Sequence, residues 1–157
     1  RTFAKHAGTS EAEARSLLNQ YYAIYPGIKL WHMDVESQLR KTRIMRTPLG
    51  RARMFFGRWG DELTKQAIAY VPQSTVSDIL NLGIIRADPA MLQGWELILQ
   101  VHDSVLMQVP SYTDPLHIQR FINHYFVIPV EIRGKTLRIP VDVKVGENWS
   151  KLRKLEI

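Results

Sequence analysis

Two short apolar runs separated by a pair of polar residues constrain this chain more than any other feature. In the stretch LQVHDSVLMQVP, Leu99 to Pro110, His102 and Asp103 divide Trp95–Val101 from Val105–Val109. Both runs alternate well enough to be strands. Two residues is the commonest length of a tight hairpin connection, so Asp103 is expected at or beside the tip of an antiparallel turn. A carboxylate between water-shy runs is costly to desolvate unless a cation, a donor or solvent meets it. What Asp103 meets is therefore the question the sequence poses.

The rest of the chain supplies helices around that hairpin. Ser10-Glu11-Ala12-Glu13 is a capping box, with a hydroxyl at the cap and a carboxylate three residues on. It predicts a helix to about Tyr25, stopped by Pro26-Gly27, with Ala14, Leu17, Leu18 and Tyr21 on its buried face. A second helix is expected from Gly27 to Arg40 through Ile28, Trp31, Val35 and Leu39. Thr47-Pro48-Leu49-Gly50 reads as a turn inside a short hairpin. A long helical pattern follows from Asp61 to about Leu82, with Pro72 expected to kink it or to open a new first turn. Thr113-Asp114-Pro115 caps another helix to about Tyr125. Val127–Arg133 and Thr136–Val145 read as a last hairpin around Arg133-Gly134-Lys135, and Gly146–Ser150 as a closing tail. Helices dominate the first 90 residues and an antiparallel sheet with a helix the remainder, which is the α+β class.

The 157 residues are one ordinary domain by length, and 45% of them are hydrophobic. No apolar run approaches the roughly 18 residues of a membrane span, so no membrane partner is expected. The absence of cysteine excludes disulfides and thiolate metal sites and permits, without requiring, a reducing cytoplasm. The chain does not start with Met and is expected to be a fragment. Its net charge of +6 is concentrated. Arg40 to Arg58, RKTRIMRTPLGRARMFFGR, holds seven basic residues and no acid. A solvated basic face is the bland reading of such a run. Arginine predominates here, however, and Ile44, Met45, Met54 and Phe55 are interleaved. Arginine forks suit phosphate oxygens, so nucleic acid is the favoured partner.

Five segments in order carry a family resemblance. Gln100-Val101-His102-Asp103 resembles the third catalytic motif of family A DNA polymerases, a hairpin whose aspartate binds metal. Tyr25-Pro26-Gly27-Ile28 and Thr47-Pro48-Leu49-Gly50-Arg51-Ala52-Arg53 are similar to the family's Tyr-Pro-Gly and Thr-x-x-Gly-Arg-x-Arg segments. Pro72–Ile79 is similar to its minor-groove helix, and Val141–Trp149 to its C-terminal strand and closing turn. The resemblance implies a helical remainder of the fingers over residues 1–40 and an antiparallel palm portion with packed helices over 41–157, the catalytic hairpin lying at 95–110. It also implies that the first catalytic aspartate and the fingers helix with its lysine precede Arg1. A cleavage product, a truncated chain and one subunit of a naturally split polymerase all satisfy that implication. The cytoplasm of a bacterial or phage-infected cell is the implied location, an organelle being left open.

The chemistry implied is transfer of a nucleotide from a dNTP to a primer 3′-hydroxyl on primer-template DNA. Two Mg²⁺ ions about 3.5–4 Å apart support such a reaction. Hard cations take oxygen ligands, so at least two carboxylates are needed. Asp103 is the one metal ligand this chain offers in a recognisable motif, the second being implied on the N-terminal portion. Asp142, Asp78 and Glu147 fall at no family metal position and read as structural or surface residues. By the same resemblance His102 approaches the primer terminus. Gln73 donates into the minor groove, where purine N3 and pyrimidine O2 are present in every base pair, and Arg51, Arg53 and Lys65 hold phosphates. Ser104 departs from the family's usual glutamate and Ala69 from its usual asparagine. Trp31, Trp59, Trp95 and Trp149 are expected in the core or at interfaces.

Two other readings compete. A nucleic-acid-binding module without chemistry would bind through Arg40–Arg58 regardless of Asp103. A His-Asp phosphohydrolase would place the pair on a helix facing further histidines.

Overall fold

A computed structural model describes residues 2–155. The chain order is α1 (Thr2–Ala7), α2 (Glu11–Ile24), α3 (Pro26–Thr42), β1 (Ile44–Arg46), β2 (Ala52–Met54), α4 (Asp61–Ala87), β3 (Glu96–Val101), β4 (Ser104–Gln108), α5 (Pro115–Phe126), β5 (Val130–Ile132), β6 (Lys135–Leu137), β7 (Lys144–Val145) and β8 (Arg153–Lys154). Single 3₁₀ turns lie at Asp88–Ala90 and Trp149–Lys151. The strands form four separate two-stranded sheets, β1–β2, β3–β4, β5–β6 and β7–β8, so the fold is α+β.

The chain divides into two compact units. One comprises the residues through Met45 together with Arg53–Tyr70. In it the Ser10 hydroxyl accepts from Glu13 N while the Glu13 carboxylate accepts from Ser10 N, the reciprocal box that starts α2. Arg43 ends α3 in the left-handed region at φ 58°. Ala14, Val35 and Leu39 are buried, as are Phe55 and Tyr70, whose rings meet edge to face at 5.8 Å. Leu17, Leu18 and Tyr21 depart from expectation and stand 39–48% exposed. Periodicity marks an apolar face, but only a neighbouring element can cover it.

The other unit comprises Arg46–Ala52 and the residues from Val71 onward. Trp95, immediately before β3, packs its ring 4.8 Å from Phe121, which lies 4.7 Å from Tyr125 on α5. Val105, Met107 and Val109 of the hairpin segment join Leu80 and Ile84 of α4 around this cluster. Phe126 completes it against Gly83, where a Cβ would lie 2.5 Å from the ring. A smaller cluster joins Ile79 to Ile128 and Val130. Asp114 starts α5 by accepting from Leu116 N at 3.1 Å.

Two expected boundaries and one expected burial differ in the structure. Pro72 lies inside a continuous α4 rather than opening a new helix. The run 136–145 is no single strand, for β6 ends at Leu137 and pairing resumes only at β7. Pro140, which has no N–H to give a ladder, falls in the gap. Trp149 is 58% exposed and buries itself in no core, whereas Trp95 is 6% exposed.

Candidate nucleic-acid interface and catalytic hairpin

β3 and β4 pair antiparallel with Val101 opposite Ser104, which leaves His102 and Asp103 as the connecting pair. His102 takes φ 54°, a left-handed conformation in which histidine is enriched among residues with a Cβ. The Ser104 hydroxyl donates to Val101 O at 2.8 Å and closes the turn. Ser104 thus has a structural partner in the turn. His102 and Asp103 are both exposed. The Asp103 side chain at the tip is open to solvent, and the apolar residues that flank it lie along the strands. The register carries one irregularity, at Ile98 between Leu97 and Leu99. A bulge of this kind bends and twists the bulged strand.

The hairpin is tied to α4 by a bond that sequence reading missed. Gln100 Nε2 donates to Asn81 Oδ1 at 2.9 Å, across 19 residues. A second tie holds the Thr47–Arg51 turn. Asp78, with its side chain 13% exposed, accepts from Arg51 Nε at 2.7 Å and from the Thr47 hydroxyl at 2.8 Å. Arg51 also donates to Ser74 O at 2.9 Å. Ser74, Asp78 and Asn81 recur at spacings of four and three, which puts them on one face of α4. That polar stripe was visible in the sequence, though its partners were not.

Asp103 and His102 form the hairpin tip, and Gln73 is exposed on α4 in the same compact unit. Arg51, in that unit too, is engaged by Asp78 and Ser74. Arg53 and Lys65 belong to the other unit. The Arg53 guanidinium lies 4.7 Å over the Phe55 ring and 5.7 Å from that of Tyr70, and Lys65 is exposed on α4. Asp142 pairs with Lys154 at 2.9 Å on the surface, consistent with a structural role.

Among the described residues no group of three or more His, Asp or Glu side chains is arranged to hold a metal ion. Asp103 alone does not make a metal centre, since a hard divalent cation needs further oxygen ligands beside it. Residues 97–109 contain no helix, so the helical His-Asp pair of a phosphohydrolase is absent. Among the described residues no helix is long and apolar enough to cross a membrane.

In fold, the chain is of the polymerase-domain class. It matches the POL domain of Pol1 from M. smegmatis, solved in complex with DNA primer-template and dNTP, with a TM-score of 0.72 and 22% identity. The match covers 86% of this chain and 26% of that one. The family model for DNA polymerase family A matches residues 1–151, and the chain belongs to that family. It is 26% identical over 153 residues to DNA polymerase I of Helicobacter pylori, covering 90% of this chain and 16% of the relative. Over 109 residues it is 32% identical to DNA polymerase I of Mycobacterium leprae, covering 64% of this chain and 12% of that protein. The chain thus spans about a sixth or less of the length of these relatives.

Proposed function

We propose that this chain supplies part of the active centre of a DNA-directed DNA polymerase, with residues 1–40 in its fingers and 41–157 in its palm. The observation that carries the reading is the exposed Asp103 carboxylate at the two-residue tip of β3–β4, within a family A chain. In this reading Asp103 would hold one side of a pair of Mg²⁺ ions, which would supply charge neutralisation as the primer 3′-oxygen bonds to the α-phosphorus of a dNTP, the hydroxyl proton leaves to solvent, and the α–β phosphoanhydride bond breaks to release pyrophosphate. A second carboxylate is required and comes from the N-terminal portion of the polymerase, on the same original chain or a separate subunit.

The remaining residues bind and orient. His102, fixed beside Asp103 by the turn, faces the primer terminus. The Gln73 amide donates to minor-groove acceptors shared by all base pairs and so tests pair geometry without choosing a base. Arg53 and Lys65 hold backbone phosphates. Arg51 contributes least of the three because Asp78 partly neutralises it. The resulting polymerase would replicate DNA in the cytoplasm of a bacterial or phage-infected cell.

The test mixes this chain with the N-terminal polypeptide and follows primer extension in Mg²⁺. Extension is expected from the mixture and loss of it with Asp103→Ala. Full extension by the Asp103→Ala variant would refute the assignment. Binding driven by Arg40–Arg58 with no extension under any pairing would favour the non-catalytic module instead.

A further inference from the structure

The loop between β2 and α4 carries an exposed aromatic side chain that the proposed catalytic roles leave unused. Phe56 is 86% exposed, whereas its neighbour Phe55 is 3% exposed and packed against Tyr70. Burial of one ring and display of the next is held by two sets of bonds. Phe55 N donates to Arg43 O at 2.8 Å, and the Arg43 guanidinium donates to Gly57 O at 2.6 Å. Arg43, Met54, Phe55, Phe56, Gly57 and Arg58 line an open groove of about 290 Å³. Gly57 also packs closely on the start of α4, since a Cβ there would lie 3.0 Å from Leu63. Beside this loop the Arg40 guanidinium sits 4.2 Å over the Trp59 ring.

From this geometry we infer that the Phe56 groove receives an unpaired stretch of a DNA strand, with a base on the Phe56 ring and the adjoining phosphate on Arg58. Charge complementarity selects this occupant. The groove has two arginines and no acid, within a stretch from Arg40 to Arg58 that contains no carboxylate. Aromatic faces interleaved with cations along a backbone track are how proteins hold single strands without choosing sequence. Bases inside a duplex are already stacked on one another, so a displayed ring of this kind takes the unpaired strand. The inference rests on the DNA-polymerase reading, to which it adds a contact outside the catalytic hairpin.

The experiment titrates the full chain into a labelled twelve-residue oligo-dT and, separately, a blunt duplex, reading anisotropy at several salt concentrations. Phe56→Ala should weaken oligo-dT binding roughly 5- to 150-fold, the range expected for one stacked base, with duplex binding unchanged. Phe56→Trp should restore it and Phe56→Leu should not, because an aliphatic side chain keeps apolar contact but offers no π face. Arg58→Gln should lower the salt slope by about one. Substitution at so exposed a ring leaves the fold intact, which circular dichroism checks. Unchanged oligo-dT binding by Phe56→Ala, full rescue by Phe56→Leu as a protein-docking patch would give, or no oligo-dT binding by the wild-type chain each overturns the inference. If primer extension succeeds while any of these is observed, the groove assignment alone has failed. Loss of both duplex binding and extension removes the polymerase reading with it.

Discussion

Removing the Asp78 carboxylate should unfasten the Thr47–Arg51 turn, and the structure sets the size of the effect. Asp78 accepts the hydroxyl of Thr47, which is 4% exposed, and the guanidinium of Arg51, whose side chain is 46% exposed. The first bond is charge-assisted and sheltered, worth about 1.5–3 kcal/mol, because its loss leaves a buried hydroxyl without its acceptor. The second faces water on the arginine side and contributes at most about 1 kcal/mol. Asp78→Ala should therefore cost about 1.5–4 kcal/mol, and Asp78→Asn, which keeps an acceptor for Thr47, about half of that. Urea unfolding of the full chain at sub-micromolar concentration, followed by circular dichroism, measures both. A double-mutant cycle locates the energy: Asp78→Ala with Thr47→Val should show coupling of about 1–3 kcal/mol, and with Arg51→Gln less than about 1 kcal/mol. A loss below about 0.5 kcal/mol for Asp78→Ala, or stronger coupling to Arg51 than to Thr47, would refute the reasoning.

Gly83→Ala should destabilise by about 1–2 kcal/mol, since overpacking against the buried Phe126 ring outweighs alanine's helix propensity. The same urea titration reads it, and adding Phe126→Leu should recover part of the loss. Hydrogen bonds from Thr9 and Ser10 hold the Glu13 carboxyl below its usual range. Its contribution is therefore complete above the unfolded carboxyl's pKa and is lost as pH falls through the lower folded value, so NMR should show the start of α2 fraying only on acidification. The unpaired edges of the β3–β4 ribbon and the exposed Leu17, Ile24, Leu30 and Met33 should make the isolated chain self-associate as concentration rises. Sedimentation velocity showing a clean monomer at high concentration would contradict this.

Resolution of the sequence into elements succeeded where the determinants lie within a few residues of one another. The Ser10–Glu13 box, Gly50 after Thr47-Pro48-Leu49, Asp114 before Pro115 and the two residues between β3 and β4 are local devices, and each occupies its expected place. The candidate site was legible for the same reason in its central residue: a two-residue turn leaves Asp103 nowhere but the tip. Tertiary structure alone decided what these elements meet. The resemblance leads one to expect Arg51 on a backbone phosphate, yet its charge is shared with Asp78 on α4. Leu17 and Leu18 have the spacing of a buried face and are exposed, while Phe55 and Phe56 are identical in type and opposite in burial. The physical reason is common to all of these. Torsional and capping preferences act between near neighbours, whereas burial and charge pairing depend on which distant segment arrives, and Thr47 and Asp78 are 31 residues apart.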